Sequence, residues 1–283
     1  FEQAPDAIRG RLSVQFRMHP QIMQLVNHFY EDTLSCGLAD PDKVRSHGLT
    51  IPDATGRELL GPDDHVLWID TSRDLLGQPC TEDFDPQGRP LRTNELEVKL
   101  TVQLLERLEA QALATRGPGA KRLTVGVVSF YAGQLRRLRQ AIRAAQPPGG
   151  WRALDVDSNT VIRYQGKEKD VVLVSLVRND GGTRRHRSSR SNVARYEFIN
   201  VAMSRARCLL MVLGARSMFE GFEVPLPRMD GPGVVRRPVY RDMLKRLELD
   251  GRLVDARQVM APPRPAARSA RPQTQGDTTK GGR

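Results

Sequence analysis

Several stretches of this sequence carry residue types suited to holding a charged ligand. The first, SVQFRMHPQI at Ser13–Ile22, sets Phe16, Arg17 and His19 just ahead of Pro20. Proline is well placed as a first helical residue. The stretch therefore reads either as the polar start of an ordinary helix or as a ring and a guanidinium presented to a ligand. The second is YAGQ, Tyr131 to Gln134. The third is NTVIRYQGKEKD, Asn159 to Asp170, which a glycine turn with flanking charges also explains. The fourth, NVAMSRAR, places Arg205 at a helix end, where it would oppose the helix dipole. Between the last two lies RNDGGTRRHRSSRSNVAR, six arginines in eighteen residues, as readily a solvated loop as a nucleic-acid contact. Guanidinium groups stabilise charge spread over phosphoryl oxygens, so the joint order of these stretches matters more than any one of them.

The elements that must position these residues follow from hydrophobic spacing. Ile22, Leu25, Val26 and Phe29 follow Pro20 at helical intervals. Residues 35–64 and 71–92, rich in Gly, Pro and Asp, read as surface insertions on either side of the short buried strand HVLWID. Asn94 and Glu97 form a capping-box pattern ahead of an amphipathic helix carrying Leu96, Leu100, Leu104, Leu105 and Leu108. LTVGVVSF at 123–130 is a strand, and the helix after it carries Leu135, Leu138 and Ile142. VVLVSLV at 171–177 and CLLMVLG at 208–214 are continuous apolar runs of the kind buried on both faces of a sheet. EFINVAMSRAR reads as the helix between them. This alternation predicts an α/β fold over residues 1–215, a mostly parallel sheet with helices on both faces. Residues 216–260 read as an irregular extension ending in a short helix around Met243–Leu249, and residues 261–283 as a disordered basic tail. Parallel sheets bind ligands at the carboxyl ends of their strands. YAGQ and the arginine-rich stretch follow strands, whereas NTVIRYQGKEKD and NVAMSRAR precede them, so the polar and cationic groups are expected to gather at the edges of several strands.

Composition narrows the class of partner. The chain of 283 residues is long enough for a real core. Its formal charge is +11, and the body is basic as well as the tail. That balance favours nucleic acid first and an acidic membrane surface second. Three cysteines, none in a C-x-x-C pair, fit a reducing, intracellular compartment, cytoplasmic with the nucleus also open. The five histidines are scattered, and no metal site stands out. No apolar run approaches the ~20 residues that cross a bilayer. The sequence opens on Phe1, mid-pattern, and a fragment or a trimmed chain is expected.

VQFRMHP, VVSFYAGQ, TVIRYQGKEKDVVLVSLVRND and NVAMSRAR resemble, in that order, the C-terminal motifs of superfamily 1 helicases of the Upf1-like branch, which includes the Dna2/Nam7-type proteins. The resemblance runs from about Leu12 to Gly214. It implies a RecA-like (P-loop NTPase-type) domain, the second of two, with ATP in the cleft between them and single-stranded DNA or RNA across both. By this resemblance Phe16 holds the position that stacks on adenine, Arg17 the one that reaches the γ-phosphate, and Arg205 that of a second arginine finger. Gln165, Gly166 and Glu168 fall in the motif that links the nucleotide to the strand path, with Glu168 near the nucleotide. Thr160 matches the position that bonds a backbone phosphate of the nucleic acid, and Tyr131 and Gln134 lie in a motif near that track.

The sequence contains no G-x-x-x-x-G-K-[ST] and no Asp-Glu dipeptide. The phosphate loop and the Mg²⁺ ligands are therefore expected from the first RecA-like domain, in cis rather than in trans. The chain alone is expected not to hydrolyse ATP. Two departures are local. Ile162 stands where the family usually carries an acid, and NVARYEF replaces the usual DPRR. The expected function is the C-terminal motor domain of an ATP-dependent helicase or translocase. The alternative is a RecA-like module without ATPase activity that binds nucleic acid or a partner, and a weaker third is a domain lending arginine fingers to a separate ATPase.

Overall fold

The structure is a computed structural model and describes residues 13–30, 32–117, 119–183, 191–228 and 232–261. The arginines at 184–190 and the tail expected to be disordered beyond Ala261 lie outside the described residues.

The chain enters through strand β1 (Val14–Gln15) and helix α1 (Pro20–Val26), with Pro20 in the first helical turn as expected. β1 pairs in parallel with β2 (Ser35–Cys36). One helical turn, α2 (Pro41–Val44), and the hairpin of β3 (Ile51–Pro52) and β4 (Glu58–Leu60) follow, so the first insertion has elements of its own. Strands and helices then alternate: β5 (Val66–Asp70), α3 (Glu95–Thr115), β6 (Leu123–Ser129), α4 (Ala132–Ala145), β7 (Leu154–Thr160), β8 (Lys169–Ser175), α5 (Tyr196–Met203) and β9 (Ala206–Gly214). The chain continues through α6 (Arg216–Phe219) and the hairpin of β10 (Val224–Pro227) and β11 (Val234–Arg237). It closes with α7 (Val239–Leu249), β12 (Leu253–Asp255) and α8 (Ala256–Val259).

Six strands form the central sheet in the order β12-β5-β9-β8-β6-β7, and every neighbouring pair is parallel. Side chains alternate across a strand, and this divides the apolar runs between two cores. Val172, Val174, Leu210, Val212 and Trp68 face the side covered by α1, α5 and α7. Val171, Leu173, Leu209, Met211, Leu67 and Ile69 face the side covered by α3 and α4.

The structure revises four sequence expectations. The sheet does not end at residue 215. β12 pairs with β5, and Tyr240, Met243 and Leu244 of α7 are buried in the core that holds Trp68. A three-residue strand is too short to register as a period, which hides this part of the domain from pattern reading. β7 is a full strand that the sequence does not announce, because LDVDSNT lies at the sheet edge with one buried residue, Leu154. β8 runs two residues earlier than its apolar stretch and stops at Ser175, after which Val177 turns at φ +70°. The capping box is half a box. Asn94 accepts from Glu97 N, but Asn94 N donates to Gln134 Oε1 and the Glu97 carboxyl turns into the core.

Between β7 and β8 the chain crosses one face of the sheet, and Tyr164 lies buried across β6. The crossing depends on Gly126, since a side-chain carbon there would collide with the Tyr164 hydroxyl. We expect Gly126→Ala to lower stability by about 1–3 kcal/mol through overpacking, read as a drop in the urea midpoint at unchanged m-value. An unaltered midpoint would mean that Tyr164 can be seated elsewhere.

Candidate functional site

Glu168 immediately precedes β8 and Arg205 immediately precedes β9. The two strands are parallel neighbours, and Lys169 N donates to the Arg205 carbonyl at 3.0 Å. Their first residues are thereby side by side. Arg17 arrives from the loop after β1, which docks on β9 through His19 N and the Arg207 carbonyl, 3.0 Å apart. Its Nε donates to Glu168 Oε1 at 2.5 Å. Arg205 donates from Nε to the Val201 carbonyl at 3.2 Å and from Nη2 to Ser204 Oγ at 3.1 Å, which ties it to the end of α5. Burial and then the nearby charge of Arg17 hold the Arg205 guanidinium below its ordinary range, with Glu168 acting the other way. Two guanidinium groups thus lie near one carboxylate, which bonds Arg17, and this leaves a positive surplus suited to an anion. Beside them Phe16 is 62% exposed.

This trio sits at the amino ends of the strands, as the order of the Glu168 and Arg205 stretches before their strands implies. Gln165 and Gly166, both exposed, form a type II turn just before Glu168, closed by Lys167 N and the Tyr164 carbonyl at 3.2 Å. Gly166 has φ +82°, the value that the third position of this turn requires and glycine adopts freely. Thr160 lies at the opposite edge of the sheet. It is level with Ser129, which is itself level with Ser175 at the end of β8. Glu168 stands seven residues before Ser175, roughly 23 Å at 3.3 Å per residue. The segment after Thr160 spans that distance over the sheet face. The segment from Asn192 to Arg205, which contains α5, also runs from the carboxyl edge to the amino edge. Asn192 Nδ2 donates to the Phe130 carbonyl at 2.8 Å, just past β6, and Arg205 directly precedes β9.

Tyr131 and Gln134 also lie at the carboxyl edge, but both are buried, and this revises their expected place beside a strand. The Tyr131 hydroxyl pairs with Ser191 Oγ at 2.7 Å. Gln134 accepts from Asn94 N and donates to the Asn94 carbonyl and to Ser175 Oγ. These side chains brace the edge and present no polar group outward. The 71–92 insertion covers the middle of the same edge. There Glu82 and Arg178, the first residue of the arginine-rich stretch, form a buried ion pair at 2.7 Å. Arg195 is exposed, with its guanidinium 4.1 Å from the Phe198 ring centre.

Sequence reading missed two features. Glu97 is fully buried, accepts from Ser175 Oγ at 2.6 Å and Val177 N at 2.9 Å, and is pushed up to about 8 by burial. The capping pattern located this residue but not its direction. The histidines, scattered in sequence, partly converge. His19 stacks on His65, and His47 meets His65 edge-on. His19 Nε2 pairs with Asp42 Oδ1 at 2.8 Å, and His65 Nδ1 pairs with the Cys208 carbonyl at 2.6 Å. One ligand atom each from His19, Asp42 and His65 lie within 4.8 Å of one another, close enough for a single cation. The hydrogen bonds account for the group's structural effect, which is to pin the loop after β1 onto β5 and β9.

A family model described as an AAA domain matches residues 2–217. The chain belongs to this AAA_12 family. The AAA_12 domain here is a C-terminal RecA-like helicase domain of superfamily 1, in the Upf1-like Dna2/Nam7 branch. It is 28% identical over 273 residues to the DNA replication ATP-dependent helicase/nuclease DNA2 of Bos taurus, covering 90% of this chain and 22% of the relative. The Schizosaccharomyces pombe protein of the same description is 27% identical over 230 residues, 76% of this chain and 14% of the relative. The DNA polymerase alpha-associated DNA helicase A of Saccharomyces cerevisiae is 29% identical over 207 residues, 72% of this chain and 27% of the relative. The chain thus spans roughly a quarter or less of the length of these relatives. Among the described residues no helix is long and apolar enough to cross a membrane.

The histidine cluster predicts a pH dependence for this AAA_12 domain. Burial, reinforced by His19 and His47, lowers His65 from 6.5 to about 4. As pH falls from 6.5 towards 4 the unfolded chain takes up this proton and the folded chain does not, so stability drops across that window. His65→Gln should flatten the fall in urea midpoint between pH 6.5 and 4 relative to the parent. The opposing slope from Glu97 is common to both proteins. Equal slopes would contradict a neutral, buried His65.

Proposed function

We propose that this domain is the second RecA-like half of an ATP-driven motor acting on single-stranded nucleic acid, DNA in the first place. One observation carries the reading: Arg17, bonded to Glu168, and Arg205, from a segment far away in sequence, come together at the amino ends of two adjacent strands. Phosphoryl transfer spreads negative charge over equatorial oxygens, and guanidinium groups neutralise it. Without nucleotide Arg17 rests on Glu168. A γ-phosphate presented by a facing domain draws both arginines, and its loss returns Arg17 to Glu168. The contacts differ between the two states, as a ligand-driven change of conformation requires. Phe16, open beside Arg17, supplies a ring for the adenine base. The phosphate loop and the Mg²⁺ ligands come from the first RecA-like domain, in the same polypeptide or in a partner.

The strand reading rests on the opposite edge of the sheet. Thr160 and the exposed Arg195 offer a hydroxyl and a cation to backbone phosphates there, and the basic charge of the chain adds sequence-independent attraction. The names of the relatives, which include DNA replication helicases, favour DNA over RNA.

The reading predicts that Arg205→Ala, in a protein assembled with its phosphate-loop domain, lowers kcat for ATP by ~10³ while nucleotide affinity is largely kept. Steady-state hydrolysis in the presence of single-stranded DNA measures it. An unchanged kcat would remove the arginine from catalysis.

A further inference from the structure

The insertion after α1 does more than connect it to β5. Arg45, at the end of α2, donates from Nε to the Arg17 carbonyl at 2.6 Å and from Nη2 to the Phe16 carbonyl at 2.7 Å. One planar guanidinium thus grips two successive carbonyls, which a lysine ammonium cannot match with the same rigidity. Gln15 closes the turn from within. Its Oε1 accepts from Arg17 N at 2.9 Å and Met18 N at 2.8 Å, and its Nε2 donates to the Met18 carbonyl at 2.9 Å. Asp42, on the same helical turn as Arg45, holds His19.

The Phe16 ring has a seat of its own. A side-chain carbon on Gly37 would collide with Cε1 and Cζ of this ring and stand 2.8 Å from Val14 Cγ1. Gly37 does not have a positive φ, so the glycine is needed there for room and not for backbone freedom. It follows β2 directly and its N–H donates to the Gln15 carbonyl at 2.8 Å, which holds it beneath the ring. Part of the ring is therefore seated while the remainder stays open.

We infer that residues 35–45 form a brace that fixes the directions of the Phe16 ring and the Arg17 guanidinium, with Arg45 as the positioning residue and Gly37 as the seat. Phe16 and Arg17 lie in a loop outside any helix or strand. A displacement of about 1 Å in a positioned group can cost on the order of 10²-fold in rate, so a loop that carries reacting groups needs such a hold. The consequence for turnover rests on the nucleotide reading proposed above, whereas the brace itself does not.

Hydrogen exchange followed by mass spectrometry on this chain tests the brace directly. In Arg45→Ala the Arg17 and Met18 amides should exchange about tenfold faster or more, as expected when local opening becomes easier, while β8 and β9 keep the parent pattern. Arg45→Lys should fall between the two. Gly37→Ala, which displaces the ring and leaves Arg45 intact, should loosen the same peptide. Parent-like exchange in both Arg45→Ala and Gly37→Ala would overturn the inference. The same variants, assembled with the phosphate-loop domain, should lose about tenfold or more in kcat/KM for ATP. Single-strand binding without nucleotide should be unchanged, which separates positioning from general damage. Faster exchange with parent-like ATP kinetics would keep the brace and refute the nucleotide reading of Phe16 and Arg17.

Discussion

β8 and β9 are parallel neighbours whose register sets their first residues, Lys169 and Ala206, opposite each other, and the candidate site depends on that register. β8 and β9 are joined from their first residues, with Lys169 N bonded to the Arg205 carbonyl. Glu168 and Arg205 are therefore neighbours although the chain between them forms a strand, a long connection and a helix. Their positions are set by the sheet, which is buried on both faces, and not by the loops that contain them. Arg17 is the exception. It reaches the same point from a loop and has to be held there, by His19 on the start of β9 and by Arg45 on the backbone.

The site is electrostatically incomplete, and this points to an anion. Glu168 balances one of two guanidinium groups, and the depressed Arg205 reports both its burial and the nearby like charge. The Arg17–Glu168 pair is partly exposed, with about a third of each side chain or more open to solvent. Such pairs contribute little to stability, so little opposes the exchange of Glu168 for a phosphate. The buried Arg178–Glu82 pair at the other edge is different in kind. Removing one partner there would strand the other charge in the interior, and it fastens the 71–92 insertion over the ends of the strands.

The apolar strands and the helices between them were legible in the sequence because burial on both sheet faces leaves long apolar runs, whereas Arg17, Glu168 and Arg205 were singled out by the resemblance of their motifs. What escaped has physical reasons. β7 lies at the sheet edge and is nearly as polar as a loop, and β12 has three residues. Tyr131 and Gln134 carry polar groups that a sequence cannot assign to the interior or to a ligand, and the structure turns both inward. The candidate site lies at the amino ends of the strands because Glu168 and Arg205 come before β8 and β9 in the chain, an order visible in the sequence itself. Arg45 and Gly37 gave no sequence signal, since a single arginine and a single glycine in an insertion have no period to stand out from.

The proposed geometry puts nucleotide at the amino edge of the sheet and nucleic acid at its carboxyl edge, with the crossover after Thr160 and the segment 192–205 around α5 as the two links between them. Photocross-linking of this chain to a single strand carrying 4-thiothymidine, with the linked peptides mapped by mass spectrometry, tests it most directly. Cross-links should fall on residues 158–162 and 192–195. Cross-links confined to residues 165–168 and 205 would place the strand on the nucleotide edge and contradict the account.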